Sequence, residues 1–146
     1  WIFWGNGECY YARLKENMIE IEGEICQVDF EGFVFEEAPW VHKRGDKYYL
    51  SYASGFPERT AYAMADSIEG PWVYQGILNE WAGYSSSNHQ AIQEYKGRWD
   101  FFYHNGVLKG GTSCSRSVCA DYLYYNADGT MRRVQMTSEG VLPVVK

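Results

Sequence analysis

The feature that most constrains the fold of this chain is a repeat with a period near fifty residues. Each copy contains a strand-like run, a glycine turn and an aromatic strand, at residues 38–52 and again at residues 90–103. A polar residue precedes each copy at the same place: Glu37 stands before the first and His89 before the second, 52 positions later. If the copies are arranged around an axis, as in radial β folds, these two side chains converge. The repeat therefore predicts a site that contains a carboxylate and an imidazole.

Strand-like runs separated by turn residues account for most of the chain. The second copy offers runs at 40–43, 48–52, 60–65 and 72–75, the third offers runs at 91–95, 99–103, 116–121 and 131–135, and a partial first copy has runs at 2–4 and 9–14. Four short strands per unit are typical of β-propeller blades, whereas helical periodicity is weak. We therefore predict an all-β chain that forms about two and a half propeller blades.

The blade boundaries follow from the same repeat. Residues 1–34 are predicted to end one blade, residues 35–80 to form the second, and residues 81–146 to form the third with the start of the next connection. Because propellers typically have at least four blades, we expect further blade material upstream and downstream.

Composition excludes some partners. With 46% hydrophobic and 22% charged residues, the 146-residue chain is globular in type. Its net charge of -6 argues against nucleic acid, which is bound by clustered Lys and Arg. It contains no run approaching the roughly 18 apolar residues that indicate a membrane span. The four cysteines lack zinc-site spacing, and the sequence leaves a disulfide open.

Several motifs, taken together in their order and spacing, resemble glycoside hydrolase family 43. They are Phe35-Glu36-Glu37-Ala38-Pro39-Trp40-Val41-His42, Ser67-Ile68-Glu69-Gly70-Pro71-Trp72, Ser87-Asn88-His89, Phe102-Tyr103-His104-Asn105, Arg116-Ser117-Val118-Cys119 and Tyr125-Asn126-Ala127-Asp128-Gly129. The resemblance covers essentially the whole chain. It implies a five-bladed propeller that hydrolyses glycosidic bonds with inversion.

The resemblance also implies a substrate class. Members act mostly on plant polysaccharides that contain arabinose and xylose, so the expected activity is that of an α-L-arabinofuranosidase or a β-xylosidase, with arabinoxylan-type polymers or oligosaccharides as partners. A microbe that degrades plant polysaccharides is the implied source, and a secreted or a cytoplasmic location is left open.

Glu37 matches the general acid of the family by its place before a small residue, Pro and Trp. An acid must keep its proton near neutral pH, which requires burial or a nearby carboxylate to raise its pKa. Glu36 is the competing candidate. Side chains alternate along a strand, so only one of the two is expected to face the axis.

Two further site residues follow from the resemblance. His89 matches the central histidine, which lies beside the catalytic carboxylates, contacts substrate and in many members helps to hold calcium at the propeller centre. Arg116 matches an arginine of the sugar-binding subsite. His42 and His104 lack an equivalent place in the repeat, and we interpret them as structural or rim residues.

The other two catalytic residues of the family are aspartates on the first two blades. The resemblance implies that both lie upstream of Trp1. The aspartates of this chain fall in turns or outer strands and do not substitute for them: Asp29, Asp46, Asp66, Asp100, Asp121 and Asp128. The chain is therefore expected to carry the acid without the base, and to be inactive in isolation. Two alternatives stay open at this stage: a non-catalytic propeller that binds carbohydrate or protein, and a related furanosidase acting on fructose polymers.

Overall fold

Antiparallel strands form the framework of the protein. The computed structural model describes residues 1–30, 32 and 34–144. In chain order the strands of this described part are β1 (Ile2–Asn6), β2 (Glu8–Leu14), β3 (Ile21–Gln27), β4 (Glu37–Arg44), β5 (Lys47–Ser54), β6 (Arg59–Ala65), β7 (Val73–Asn79), β8 (Ala91–Tyr95), β9 (Arg98–Asn105) and β10 (Ser117–Tyr122). These residues include no helix, and hence none that is long and apolar enough to cross a membrane. The predicted all-β class is confirmed.

The strands form two sheets. A seven-stranded sheet has the order β3-β2-β1-β4-β5-β6-β7, and a three-stranded sheet has the order β10-β9-β8. Within the larger sheet, β1 meets β4 only at the pair Asn6 and Glu37. The larger sheet is therefore two units, β1–β3 and the four-stranded meander β4–β7, joined at the residue that the sequence singles out.

The two glycine turns of the repeat are confirmed as hairpin turns. β4 and β5 are joined through Gly45, whose φ is 58°, and Arg44 pairs with Lys47 across the turn. β8 and β9 are joined through Lys96 and Gly97, whose φ angles are 52° and 78°. Positive φ at both central residues is the type I′ geometry, whose twist matches that of the flanking strands.

The predicted final strand at 131–135 is wrong. Met131 makes an isolated bridge to Tyr125, and no named strand includes this segment. The backbone N–H of Val134 donates instead to the carbonyl oxygen of Leu78 at 2.7 Å. The segment thus divides its hydrogen bonds: Val134 bonds to the preceding blade, whereas the N–H of Arg132 donates to the carbonyl oxygen of Tyr124, just after β10, at 2.8 Å.

One aspartate also lies elsewhere than expected. Asp100 is in β9, the middle strand of its sheet, rather than in an outer strand or a turn. It is buried and accepts a hydrogen bond from Arg98 at 2.8 Å. This pairing gives Asp100 a structural role.

The core has two clusters on opposite faces of the central meander. Alternation along β5 sends Tyr49 to one face and Leu50 and Tyr52 to the other. The first cluster joins the meander to the β8–β10 sheet, through Phe101 among others, and the second joins it to the β1–β3 unit. Since burying a large apolar side chain contributes about 1.5–3 kcal/mol, these clusters hold the three units together.

Antiparallel connection brings several segments to one edge of the sheets. The start of β4, the β5–β6 loop and the end of β7 lie together, since Glu37 pairs with Ala53 and Thr60 pairs with Asn79. The segment before β8 joins them, because the N–H of Glu58 donates to the carbonyl oxygen of Ser86 at 2.9 Å. This edge carries the candidate site.

Candidate active site

Glu37 is the first residue of β4 and stands beside a β-bulge. Glu37 pairs with Ala53 and Trp40 with Ser51, so Ala38 and Pro39 together face a single residue of β5. Ala38 has a φ of 56°, a left-handed conformation that is uncommon for a residue with a side chain. Proline lacks an N–H and is tolerated at a bulge. Bulges occur often beside active sites, where they re-aim a side chain, and here that side chain is Glu37.

The carboxyl group of Glu37 is held from two sides. Nδ2 of Asn6 donates to Oε2 at 2.9 Å, and Nε2 of His89 lies 2.7 Å from Oε1. An ionised carboxylate only accepts, so the imidazole N–H is the donor in the second bond. The predicted convergence of Glu37 and His89 is confirmed.

A second carboxyl group joins this pair, and the sequence analysis missed it. Glu58 lies in the β5–β6 loop, and its side chain is only 5% exposed. Its Oε2 accepts the backbone N–H of Asn88 at 2.8 Å and lies 3.4 Å from Nε2 of His89. One oxygen each from Glu37 and Glu58 and a ring nitrogen of His89 lie within 4.8 Å of one another.

The two carboxyl groups have opposite pKa shifts. Burial raises the pKa of Glu37, but the hydrogen bonds from Asn6 and His89 outweigh it, so that the pKa is lowered. Burial raises the pKa of Glu58, and the neighbouring carboxylate of Glu37 raises it further. In this cluster the carboxyl that retains its proton more strongly is therefore Glu58, whereas the sequence analysis required a raised pKa for Glu37.

His104, which we interpret as a structural or rim residue, lies against His89. The two rings are 5.4 Å apart, and Nε2 of His104 accepts the backbone N–H of His89 at 3.2 Å. Burial lowers the pKa of His104 to about 4, and the charge of Arg116 lowers it further. A neutral imidazole is what accepting this bond requires.

Arg116 reaches the site through His104. Its Nη1 lies 3.3 Å from Nε2 of His104, and its Nε donates to the carbonyl oxygen of Ser113 at 2.6 Å. The residue as a whole is exposed. The structure thus connects the three residues singled out by sequence in one line: Glu37 to His89, and His89 through His104 to Arg116.

His42 is part of the core between two blades. Its Nε2 is hydrogen bonded to the hydroxyl of Tyr125 at 2.9 Å, and its ring stacks on Tyr49 at 4.8 Å. Burial lowers its pKa to about 4, and the charge of Arg44 contributes. The interpretation of His42 as structural agrees with these contacts.

Glu36 stays outside the cluster of Glu37, Glu58 and His89. Its backbone N–H donates to the carbonyl oxygen of Ala53 at 2.9 Å, so its backbone continues the ladder just before β4. Of the two adjacent glutamates, Glu37 is the one whose side chain faces His89.

The sequence offered only a topological signal for Glu58. In an antiparallel meander the β5–β6 loop returns to the edge at which β4 begins, so a carboxyl in that loop is a candidate for the same site. Asn6 and His104 had no equivalent place in the repeat, and their contacts emerge only from the packing of one blade on another.

The cluster suits a divalent cation by its chemistry. Calcium prefers oxygen ligands, and Glu37 and Glu58 supply carboxylates beside the imidazole of His89. A bound cation would neutralise the negative charge of these two carboxylates and orient the ring.

Known proteins share this fold and much of this sequence. The chain is 36% identical over 141 residues to a xylosidase/arabinosidase of Bacteroides ovatus, covering 88% of this chain and 43% of that protein. It superimposes on the GH43_1 enzyme of Xanthomonas citri with a TM-score of 0.81 and 34% identity, covering 93% of this chain and 45% of the enzyme.

A third comparison is with CoXyl43, a β-xylosidase/α-arabinofuranosidase from a compost microbial metagenome. The TM-score is 0.77 at 31% identity, covering 85% of this chain and 41% of that one, which was solved with xylotriose in a calcium-free form. The chain thus spans less than half the length of these relatives.

The architecture defines a class of fold: this chain is part of a five-bladed β-propeller, with about two and a half blades present. The profile of the Glycosyl hydrolases family 43 matches residues 1–131. The chain belongs to that family.

Proposed function

We propose that this chain forms part of an inverting glycoside hydrolase of the xylosidase or arabinofuranosidase type, with Glu37 as its general acid. The observation that carries the proposal is the hydrogen-bonded cluster of Glu37, His89 and Glu58 at the edge of the propeller. Inversion needs one carboxyl to protonate the leaving oxygen and another to activate water on the opposite face of the sugar.

The position of Glu37 supports its role. Its side chain is 30% exposed, so a glycosidic oxygen can reach it, whereas the carboxyl of Glu58 is 5% exposed. Access thus favours Glu37 for direct proton transfer, and Glu58 for holding the backbone before His89.

The lowered pKa of Glu37 has to be offset when it acts as an acid. The family resemblance implies an aspartate on a preceding blade that raises the pKa of the acid through its negative charge. That charge would act against the hydrogen bonds from Asn6 and His89. The resemblance places the general base upstream as well, and none of the described residues is assigned to that role.

His89 and Arg116 are proposed to bind substrate. Arg116 is exposed and tied to the cluster through His104, so its remaining guanidinium N–H groups can donate to adjacent sugar hydroxyls. His89 is 34% exposed along its side chain and presents its ring beside the acid.

The substrate class is proposed from the relatives. The Xanthomonas citri enzyme has been solved with xylose and with xylotriose, and the Bacteroides ovatus relative is a xylosidase/arabinosidase. We therefore expect short xylo-oligosaccharides to be cleaved, and arabinose side groups of arabinoxylan to be a second substrate. We also propose that the blades divide at residues 1–34, 35–80 and 81–146.

We propose that calcium is bound at the propeller centre with His89 as one of its ligands, and that the nearby carboxyl of Glu58, which does not serve as the acid, supplies an oxygen ligand. When bound, the ion would supply positive charge at the cluster. The residues of this chain would orient the sugar and deliver the proton from the carboxyl of Glu37.

The stereochemistry of the product tests the proposal. The protein with its complete catalytic domain is incubated with 4-nitrophenyl β-xyloside, whose only sugar product is the xylose formed at the reacting carbon, and that xylose is followed by proton NMR. Inversion of a β-xyloside yields α-xylose first, before mutarotation. Release of β-xylose would contradict the proposed mechanism, and binding without release would favour the non-catalytic propeller.

A further inference from the structure

Three residues of β4 contact three residues in β8 or just before it. Glu37 is hydrogen bonded to His89, the carbonyl of Ala38 accepts from Gln90, and Nε1 of Trp40 donates to the carbonyl of Ile92. In each pair the partners are 52 residues apart. The blades are thus joined in register, and the middle contact lies directly beside the proposed acid.

The middle contact involves the bulge of β4. A bulge leaves its extra residue outside the regular ladder, so the carbonyl of Ala38 needs another donor. Nε2 of Gln90 supplies it at 2.9 Å and also donates to Oγ of Ser51 at 3.2 Å. Gln90 is only 7% exposed, so water does not readily replace these bonds.

The conformation of Ala38 makes this bond matter. A φ of 56° is unfavourable for alanine and persists only where the surroundings enforce it. The carbonyl that Gln90 holds belongs to the peptide between Ala38 and Pro39, so the bond fixes the bulge that directly follows Glu37 and limits the positions that the start of β4 can take. Among the described residues, no other side chain donates a hydrogen bond to the carbonyl of Ala38.

We propose that Gln90 is a positioning residue for Glu37: it fixes the Ala38 bulge from the neighbouring blade and so aims the carboxyl at the glycosidic oxygen. Gln90 itself touches neither the carboxyl group nor the substrate. This inference rests on the proposed role of Glu37 as the acid and extends it to a residue with no acid–base chemistry.

The test is a comparison of leaving groups in the protein with its complete catalytic domain. Gln90→Met keeps the length of the side chain and removes both donors. On xylobiose, whose leaving group must be protonated, kcat should fall roughly ten- to a hundredfold, less than the roughly 10²- to 10⁴-fold contribution of a general acid. On 2,4-dinitrophenyl xyloside, which needs little protonation, kcat should fall less than about threefold, and KM should change little on both substrates.

Trp40→Phe is the matched control. It removes another hydrogen bond between the same two segments of the chain, from Nε1 of Trp40 to the carbonyl of Ile92, and leaves the bond to the Ala38 carbonyl in place. It should lower the melting temperature and leave the ratio of the two kcat values unchanged. Gln90→Asn, which is one methylene shorter and cannot span the same gap, repeats the measurement with a polar side chain if Gln90→Met fails to fold.

Glu37→Gln in the same assay separates the two claims. If Glu37→Gln loses activity selectively on xylobiose while Gln90→Met and Gln90→Asn lose it equally on both substrates, or not at all, the positioning role is overturned and the acid stands. If Glu37→Gln shows no selectivity, the proposed acid is wrong and the inference on Gln90 fails with it. A selective loss in all three variants, absent in Trp40→Phe, supports the inference.

Discussion

Nε2 of His89 lies 2.7 Å from Oε1 of Glu37, although Glu37 begins a strand of the seven-stranded sheet and His89 precedes the first strand of the three-stranded sheet. This contact joins the first residue of β4 to the segment that leads into β8. A carboxylate and an imidazole are therefore brought together by the repeat itself, and the chemistry of the site depends on how one blade packs on the next.

The buried His42 should make stability depend on acid pH. Its pKa is lowered from about 6.5 to about 4 in the fold, so the unfolded chain binds the extra proton first and stability falls as the pH drops through this range. A shift of this size corresponds to about 3 kcal/mol. The free energy of unfolding of the wild type should fall between pH 8 and pH 4, and in His42→Phe this fall should be smaller by about 3 kcal/mol. Urea titration at each pH measures both values.

His104 also contributes to the dependence of stability on acid pH. Its pKa is also lowered to about 4, and it remains in the variant, so part of the acid dependence should persist. An unchanged pH dependence in His42→Phe would show that His42 is protonated in the folded protein, contrary to its buried position.

Glu58 should contribute to stability through the backbone of Asn88. Glu58→Ala leaves the buried N–H of Asn88 without its 2.8 Å acceptor, and an unpaired buried donor costs about 1–3 kcal/mol. Glu58→Gln keeps a side-chain oxygen at the same reach and should cost much less. Denaturant unfolding of both variants measures the difference, and equal losses would argue against this bond as the main contribution.

Arg116 should affect substrate affinity more than turnover. Arg116→Lys keeps the charge but loses the planar set of donors, so KM for xylobiose should rise about tenfold, or about 1.4 kcal/mol, with a smaller change in kcat. Arg13→Lys, at an exposed ion pair with Glu22 on β2 and β3, is the control and should leave KM unchanged. A fall in kcat without a rise in KM would place Arg116 outside the sugar-binding subsite.

Calcium binding should depend on the carboxylates of the cluster. We expect calorimetric titration with Ca²⁺ to show binding that weakens about tenfold or more in Glu58→Gln, since oxygen ligands dominate calcium affinity. Glu36→Gln, next to the cluster but outside it, should bind as the wild type does. Equal affinity in all three proteins would exclude Glu58 from the cation site.

The sequence predicts those parts of the molecule that the repeat encodes. The hairpin turns at Gly45 and Gly97 follow from local turn chemistry, and the meeting of Glu37 and His89 follows from their equal place in two copies. Both features follow from the turn residues and from the spacing of the repeat, and these can be read directly from the sequence.

Features that depend on packing between blades were not predictable in this way. Glu58 has no counterpart in the next copy, and its burial arises where the β5–β6 loop meets the segment before β8. The segment after Met131 reads as a strand, yet the N–H of Val134 bonds the carbonyl of Leu78 on the preceding blade. Local strand propensity does not determine which neighbouring segment supplies the hydrogen-bond partners.

The variant that decides whether Glu37 is the general acid is Glu37→Gln. Gln keeps the size of the side chain but cannot donate a proton, so hydrolysis of xylobiose should fall by roughly 10²- to 10⁴-fold. Hydrolysis of 2,4-dinitrophenyl xyloside should fall far less, because its leaving group departs without protonation. Glu36→Gln should change both rates by less than about threefold. We expect this selective loss when kcat is measured on both substrates side by side. Equal losses on the two substrates would show that Glu37 is not the general acid.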